Sequence, residues 1–250
     1  MKAFIAYFDL LGFEQFIELN NEEEQQKVLE NIFHIMEFSL ANGEIEFSPL
    51  GVVAKTSLAK VNCLNFSDTF VFWTKDNLET SFLDLMKVVS HFNSSMIMHV
   101  FPIRGTITYG DIFTARHFEK SENQTSYNVN SVYGKGIIDA YKKSNAQNWA
   151  GTVIDNELII ALNDLCISID TCIIPFAKKY NIPYKESSNQ PAIEYALNIV
   201  KEPIDEIVFN NYKDSIKQNF SDYKKEVSSS AVTLKITNTI KFLESFRSDL

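Results

Sequence analysis

The sequence predicts an α+β fold in which a split β-α-β-β-α-β unit packs helices on one face of a mainly antiparallel sheet, followed by a helical C-terminal extension. Three observations carry that reading. The opening run "KAFIAYFDLL" is almost continuously apolar and bounded by Gly12, the pattern of a strand buried on both sides. Two runs rich in β-formers, "SLAKVNCLNF" and "TFVFWT", are separated only by Ser67 and Asp68, so they read as a hairpin with an acid at its tip. Two amphipathic stretches with helical spacing flank that hairpin.

Taken in order, the first strand gives way to a helix from Glu22 to about Asn42, with Val28, Leu29, Ile32, Phe33, Ile35 and Met36 at helical spacing and Gly43 as its stop. The hairpin follows. A second helix runs from about Asn77 to Val100, and Pro102 marks the entry to the strand "IRGTITYGDIF". The polar stretch "KSENQTSYNVN" reads as a loop, "VYGKGIIDAYKKSNAQ" as a helix and "WAGTVI" as a strand. Beyond Asp155 the pattern is weaker. Helical stretches fall at Glu157 to Cys166 and Pro191 to Ile199, a charged helical tail runs from about Glu206 to the end, and "KESSNQP" reads as a loop. The expected division is a core over residues 1–155 and an extension over 156–250 packed on it.

Composition narrows the classes of function. A 250-residue chain with 45% apolar and 22% charged residues buries a sizeable core. A formal charge of −9 argues against a surface that neutralises a nucleic-acid backbone, although backbone amides or a bound cation still suit a small anion. Cys63, Cys166 and Cys172 show no paired spacing, so reduced thiols are expected rather than zinc ligands. No signal-peptide pattern and no apolar run of membrane length is present, which places the expected location in the cytoplasm with no membrane partner.

Two acids stand out by position. Asp9 ends the first strand and Asp68 sits at the hairpin tip, and in the split fold these strands are central neighbours. Carboxylates brought together repel, so the pair is stable only with a shared proton or a cation between them. Oxygen ligands suit Mg²⁺ or Mn²⁺. "LLGF" after Asp9 turns strand into helix, and Gly12 leaves the backbone open to close approach. The plain alternatives are that Asp9 caps a helix and Asp68 merely suits a turn.

"YFDLLGF", "FSDTFVFW", "IRGTITYGDI" and "VYGKGIIDAYKKS", in that order over roughly Ala3 to Gly151, resemble the class III nucleotide cyclase catalytic domain, whose core is ferredoxin-like. The resemblance implies that Asp9 and Asp68 bind two Mn²⁺ or Mg²⁺ ions per site, with the Leu10 carbonyl touching one of them. It implies that the amides of Leu11, Gly12 and Phe13 hold the phosphates of a nucleoside triphosphate. It also implies a homodimer, because sites in this family lie between two protomers. Arg104 is expected to reach phosphate or tie down a loop, and Tyr133 and Trp149 are expected in the core or the dimer interface.

The departures from the family pattern lie in the base-reading half. Leu64, with Asn65 beside it, stands where purine cyclases carry a Lys or Glu, and Ser131 falls on the second base-reading position. Ile138 takes the place of the transition-state Asn, and Lys142 falls on or near the family's Arg, where its plain alternative is a solvated helix lysine. Intact metal acids without purine readers resemble the single-domain pyrimidine cyclases of bacterial Pycsar anti-phage systems, which make cyclic UMP or cyclic CMP for a separate effector. Three alternatives stay open: a purine (ATP) cyclase, a catalytically degenerate nucleotide sensor or interaction domain, and a palm-type polymerase or diguanylate cyclase, the last disfavoured because no G-G-D/E-E-F signature is present.

Overall fold

The computed structural model describes residues 1–49, 51–123, 125–186, 188, 193–201 and 203–248. Its elements run β1 (Lys2–Leu10), α1 (Phe13–Leu19), α2 (Glu22–Leu40), β2 (Ile45–Ser48), β3 (Gly51–Ala54), β4 (Asn62–Phe66), β5 (Thr69–Trp73), α3 (Glu79–Ser95), β6 (Ile103–Asp111), β7 (Phe113–Lys120), β8 (Ser126–Tyr133), α4 (Lys135–Ala146), β9 (Gly151–Ile154), α5 (Asn156–Asp164), α6 (Ile169–Cys172), β10 (Ala177–Asn181), β11 (Ile193–Leu197), α7 (Glu206–Ser221) and α8 (Ser230–Glu244).

Seven strands form one sheet in the order β10-β11-β9-β6-β1-β5-β4, antiparallel except for the β6–β9 pair. The first strand is therefore central, with Asp9 opposite Thr69 of β5 on one side and Arg104 of β6 on the other. Its alternation explains its continuous apolarity. Phe4, Ala6, Phe8 and Leu10 enter a large core with Phe72, Phe82 and Phe92, while Ala3, Ile5 and Tyr7 enter a smaller one with Val71, Trp73 and Ala140.

The two helices of the split unit, α2 and α3, cover the large-core face as expected, but α4 packs on the opposite face. There Gly136 sits so close that a Cβ would come within 2.6 Å of Ile5 and 3.1 Å of the Gly110 backbone. Ala140, one turn further along α4, joins the small core.

Elsewhere the structure corrects the reading of single segments. The first hairpin strand begins at Asn62, because Thr56–Leu58 form a 3₁₀ turn. The helix from Asn77 begins at Glu79 and ends in a π-helical turn over Met96–Val100. "KSENQTSYNVN" is mostly strand: β7 and β8 form an exposed two-stranded ribbon, with Phe113 opposite Tyr133. The helix expected from Pro191 to Ile199 is instead β11, a strand that pairs with both β9 and β10, while Pro191 itself and most of "KESSNQP" lie outside the described residues. Glu194, Ala196 and Leu197 are buried there, and so short an apolar run does not distinguish strand from helix by periodicity. The charged tail is helical as expected, in two helices, α7 and α8. Buried residues on either side of Asp155 belong to one core, from Phe4 to Phe246. Trp149 is fully buried against Tyr180 and Phe242, whereas Tyr133 stays exposed beside Phe113. The three cysteines are free thiols, and Cys166 is exposed.

Candidate active site

The end of β1 and the β4–β5 tip are fastened by their backbones. Ser67 takes φ 54°, which lets a two-residue turn reverse the chain, and the Leu10 N–H donates to the Asp68 carbonyl oxygen at 3.0 Å. This tie brings the two acids together, so that the Asp9 and Asp68 carboxyl groups lie within hydrogen-bonding reach of each other. Burial raises the Asp9 pKa above the ordinary carboxylate value, and the charge of Asp68 adds to that rise while Arg104 opposes it. A carboxyl pair under this strain is a site for a proton or a cation. Among the described residues no group of three or more His, Cys, Asp or Glu gathers as a metal site.

Arg104 is the third member of this arrangement. Its Nη2 lies 3.0 Å from Asp9 Oδ2 and also donates to Asn145 Oδ1, while Nη1 donates to the Gln147 carbonyl at 3.4 Å. The guanidinium is buried, and its Nε has no partner among the described residues. Gln147 is fixed in turn, donating to the Gly105 carbonyl at 2.8 Å and accepting from Trp149 Nε1 at 2.8 Å.

After Leu10 the chain turns through Gly12, at φ 83°, into α1, which has no side-chain cap. Of the three amides expected to face phosphate, that of Leu11 is engaged, donating to the Pro102 carbonyl at 2.9 Å. That is a correction to the sequence reading: strand pairing with the entry to β6 continues one residue past β1. Gly12 and Phe13 remain.

Asn65 and Ser131, which the sequence places far apart, line one cavity of about 1010 Å³ together with Tyr7, Leu64 and Thr69. Both Asn65 amide protons serve the hairpin, donating to the carbonyls of Ser67 (3.2 Å) and Thr69 (3.1 Å). Tyr7 is an addition to the residues that the sequence singles out. Its hydroxyl lies 3.3 Å from Thr69 Oγ1, and burial pushes its pKa up to about 12, so it is a neutral donor. Two-residue alternation from Asp9 is the signal that reveals it, since Tyr7 shares that strand face.

Lys142 does not line the cavity of Asn65 and Ser131. It is exposed and lines a different cavity, of about 940 Å³, with Lys2, Asp111 and Asp139, and Lys2 is at the opposite end of β1 from Asp9. Its neighbour Lys143 is the buried one, held between Asp155 (2.7 Å) and Glu194 (2.5 Å). Ile138 is exposed on the same helix.

No protein-family model and no curated protein matches the chain. Among solved structures it is similar to the catalytic core of a rhodopsin-guanylyl cyclase with converted specificity in complex with ATPαS, at TM-score 0.51 and 7% identity over 79% of this chain and 95% of that one. It is similar also to the guanylate cyclase domain of RhGC from Catenaria anguillulae in complex with GTP, at TM-score 0.51 and 7% identity over 80% and 97%. At that identity the likeness is one of fold, and it spans nearly the whole of each cyclase domain. The chain thus has the α+β fold of a class III nucleotide cyclase catalytic domain, with Asp9 and Asp68 meeting where β1 ends beside the β4–β5 tip.

Proposed function

We propose that this protein is a nucleotide cyclase, a phosphorus-oxygen lyase that converts UTP or CTP to the 3′,5′-cyclic monophosphate and pyrophosphate. The observation that carries the reading is the meeting of Asp9 and Asp68 at the joint of β1 and the hairpin tip, beside a turn with open backbone. Two acids set against each other fit Mn²⁺ or Mg²⁺, and ions held there would supply activation of the ribose 3′-hydroxyl and charge neutralisation at the leaving pyrophosphate. Arg104 keeps Asp9 Oδ2 in place, and Gly12 and Phe13 present amides to the triphosphate. Asn65, Ser131 and Tyr7 offer one carbonyl, one hydroxyl and one phenol to a base, a set sized for polar recognition of a pyrimidine edge.

Lys142 and Ile138 lie outside the cavity of Asn65 and Ser131, and the proposed active form is a homodimer with the acids of one protomer facing α4 of its partner. The product is then a second messenger for a separate effector, in keeping with an anti-phage role. Incubating the protein with Mn²⁺ and each ribonucleoside triphosphate tests the reading. Pyrophosphate and a cyclic pyrimidine monophosphate, lost in Asp9→Ala and Asp68→Ala, are the expected result. Turnover of ATP or GTP alone replaces the pyrimidine assignment by a purine one, and tight nucleotide binding with no turnover identifies a sensor, the reading that Ile138 in place of the Asn favours.

A further inference from the structure

The α7–α8 connection lies against the turn that follows Asp9. Tyr223 and Lys224 both take left-handed backbone angles, φ 62° and 61°, and deliver Lys225 into the interior, where it is 6% exposed. The Lys225 stem lies beneath Gly12: a Cβ there would meet Lys225 Cδ at 3.3 Å. Its ammonium donates to the Asn219 carbonyl at 2.7 Å and sits 3.8 Å from the centre of the Phe101 ring. Phe101 precedes Pro102, whose carbonyl holds the Leu11 amide. One side chain therefore braces the turn from below and supports the strut beside it.

Neighbouring contacts fix the connection itself. The Tyr223 carbonyl accepts from Asn20 Nδ2 at 2.7 Å, the Glu226 N–H donates to Gln15 Oε1 at 3.2 Å, and Asn219 Nδ2 donates to the Ile97 carbonyl at 2.9 Å. The tie thus runs from the C-terminal segment to both ends of α1.

We propose that Lys225 is a positioning residue of the triphosphate site, seating Gly12 and Phe13 with its stem and favouring an anion above them with its charge. The inference rests on the reading of that turn as phosphate-binding. A methionine or leucine would fill the same space without the cost of burying an amine, and no acid forms an ion pair with Lys225 among the described residues. The charge of Asp222 acts on that ammonium without pairing to it, and a polyanion bound at Gly12 would add a second counter-charge. The C-terminal segment then belongs to the site rather than merely covering the core.

The test uses the whole chain with inorganic tripolyphosphate and the substrate triphosphates. In wild type, tripolyphosphate slows amide exchange at residues 11–16 and also at 222–226. Lys225→Met keeps the stem and loses the charge: its tripolyphosphate Kd and substrate KM rise about tenfold while kcat holds. Lys225→Ala also speeds exchange at residues 11–16. Protection confined to residues 11–16 in wild type, or variants that bind tripolyphosphate as wild type does, overturns the inference alone. A wild type with no affinity for tripolyphosphate or nucleotide overturns the phosphate-site reading as well, so the two failures are told apart. The exchange measurement on wild type stands even where a variant does not fold.

Discussion

Arg104 and Asp9 face each other across neighbouring strands, with Nη2 3.0 Å from Oδ2, and the guanidinium is the more deeply buried of the two. The pair is directional support. Arg104 is tied on its other side to Asn145 and Gln147 at the end of α4, so it transmits the position of that helix to the acid on β1.

Removing Arg104 leaves Asp9 buried beside Asp68 with nothing opposing their repulsion. Arg104→Met is therefore expected to destabilise the fold by about 3–5 kcal/mol, the usual result of breaking a buried pair from one side. Arg104→Lys does not restore it, because one ammonium cannot meet Asp9, Asn145 and the Gln147 carbonyl in the planar geometry of a guanidinium. Urea unfolding of the three proteins measures this, and a loss below 1 kcal/mol would show that the pair carries little.

A divalent cation is expected to stabilise the protein through the same acids. At one hundred times its Kd, Mn²⁺ adds about 2.7 kcal/mol, seen as a rise in Tm. The effect vanishes in Asp9→Asn and Asp68→Asn. The Asp9 pKa is raised, so the folded state holds its proton to higher pH than the unfolded chain does. Ionising Asp9 therefore lowers stability as pH rises through the window between the two values, and the cation offsets that loss. The Mn²⁺ shift in Tm grows as pH rises out of the carboxylate range. An equal shift at all pH values from 4 to 8 places the ion elsewhere.

The parts of this arrangement legible in the sequence are those whose burial leaves a pattern. The first strand and the β4–β5 hairpin announce themselves because both faces of β1 are buried and a two-residue joint admits one geometry. Exposed elements do not. Strand β7 is exposed along its whole length, so its sequence has no alternation to read. Hairpin β2–β3 leaves no pattern for the same reason, its mostly exposed residues giving no core face. Tertiary partners far along the chain are invisible in another way. Nothing about "YKKE" separates Lys225 from the exposed Lys224 before it, since only the left-handed turn at Tyr223 and Lys224 decides which one enters the core.

Adjacent lysines on α4 make a second contrast of that kind. Lys142 attracts notice by its place in the motif, yet Lys143 is buried between Asp155 and Glu194, and Glu194 is also bonded by the Tyr184 hydroxyl. Lys143→Met strands two buried acids and is expected to lose about 3–5 kcal/mol. Lys142→Ala, at an exposed position, changes stability by less than about 0.5 kcal/mol and reduces turnover only. Thermal unfolding alongside a cyclase assay separates them. A destabilised Lys142→Ala would place that side chain in the fold rather than in the chemistry.

Base recognition is expected to divide between two residues of one cavity with different duties. Ser131 lies on the exposed β8 ribbon, and no backbone partner depends on its hydroxyl among the described residues. Ser131→Ala therefore removes one hydrogen bond to the base, raising KM by about fivefold to tenfold for the preferred triphosphate with kcat little changed. Asn65 holds the hairpin turn through both amide protons, and Asp68 is part of that turn. Asn65→Ala loosens the tip, so kcat falls along with the rise in KM, and Asn65→Asp repeats the loss because a carboxylate cannot donate to the Ser67 and Thr69 carbonyls. Steady-state kinetics with UTP, CTP and ATP on the three variants read the division. If Ser131→Ala leaves every KM unchanged, the cavity beside Tyr7 does not hold the base.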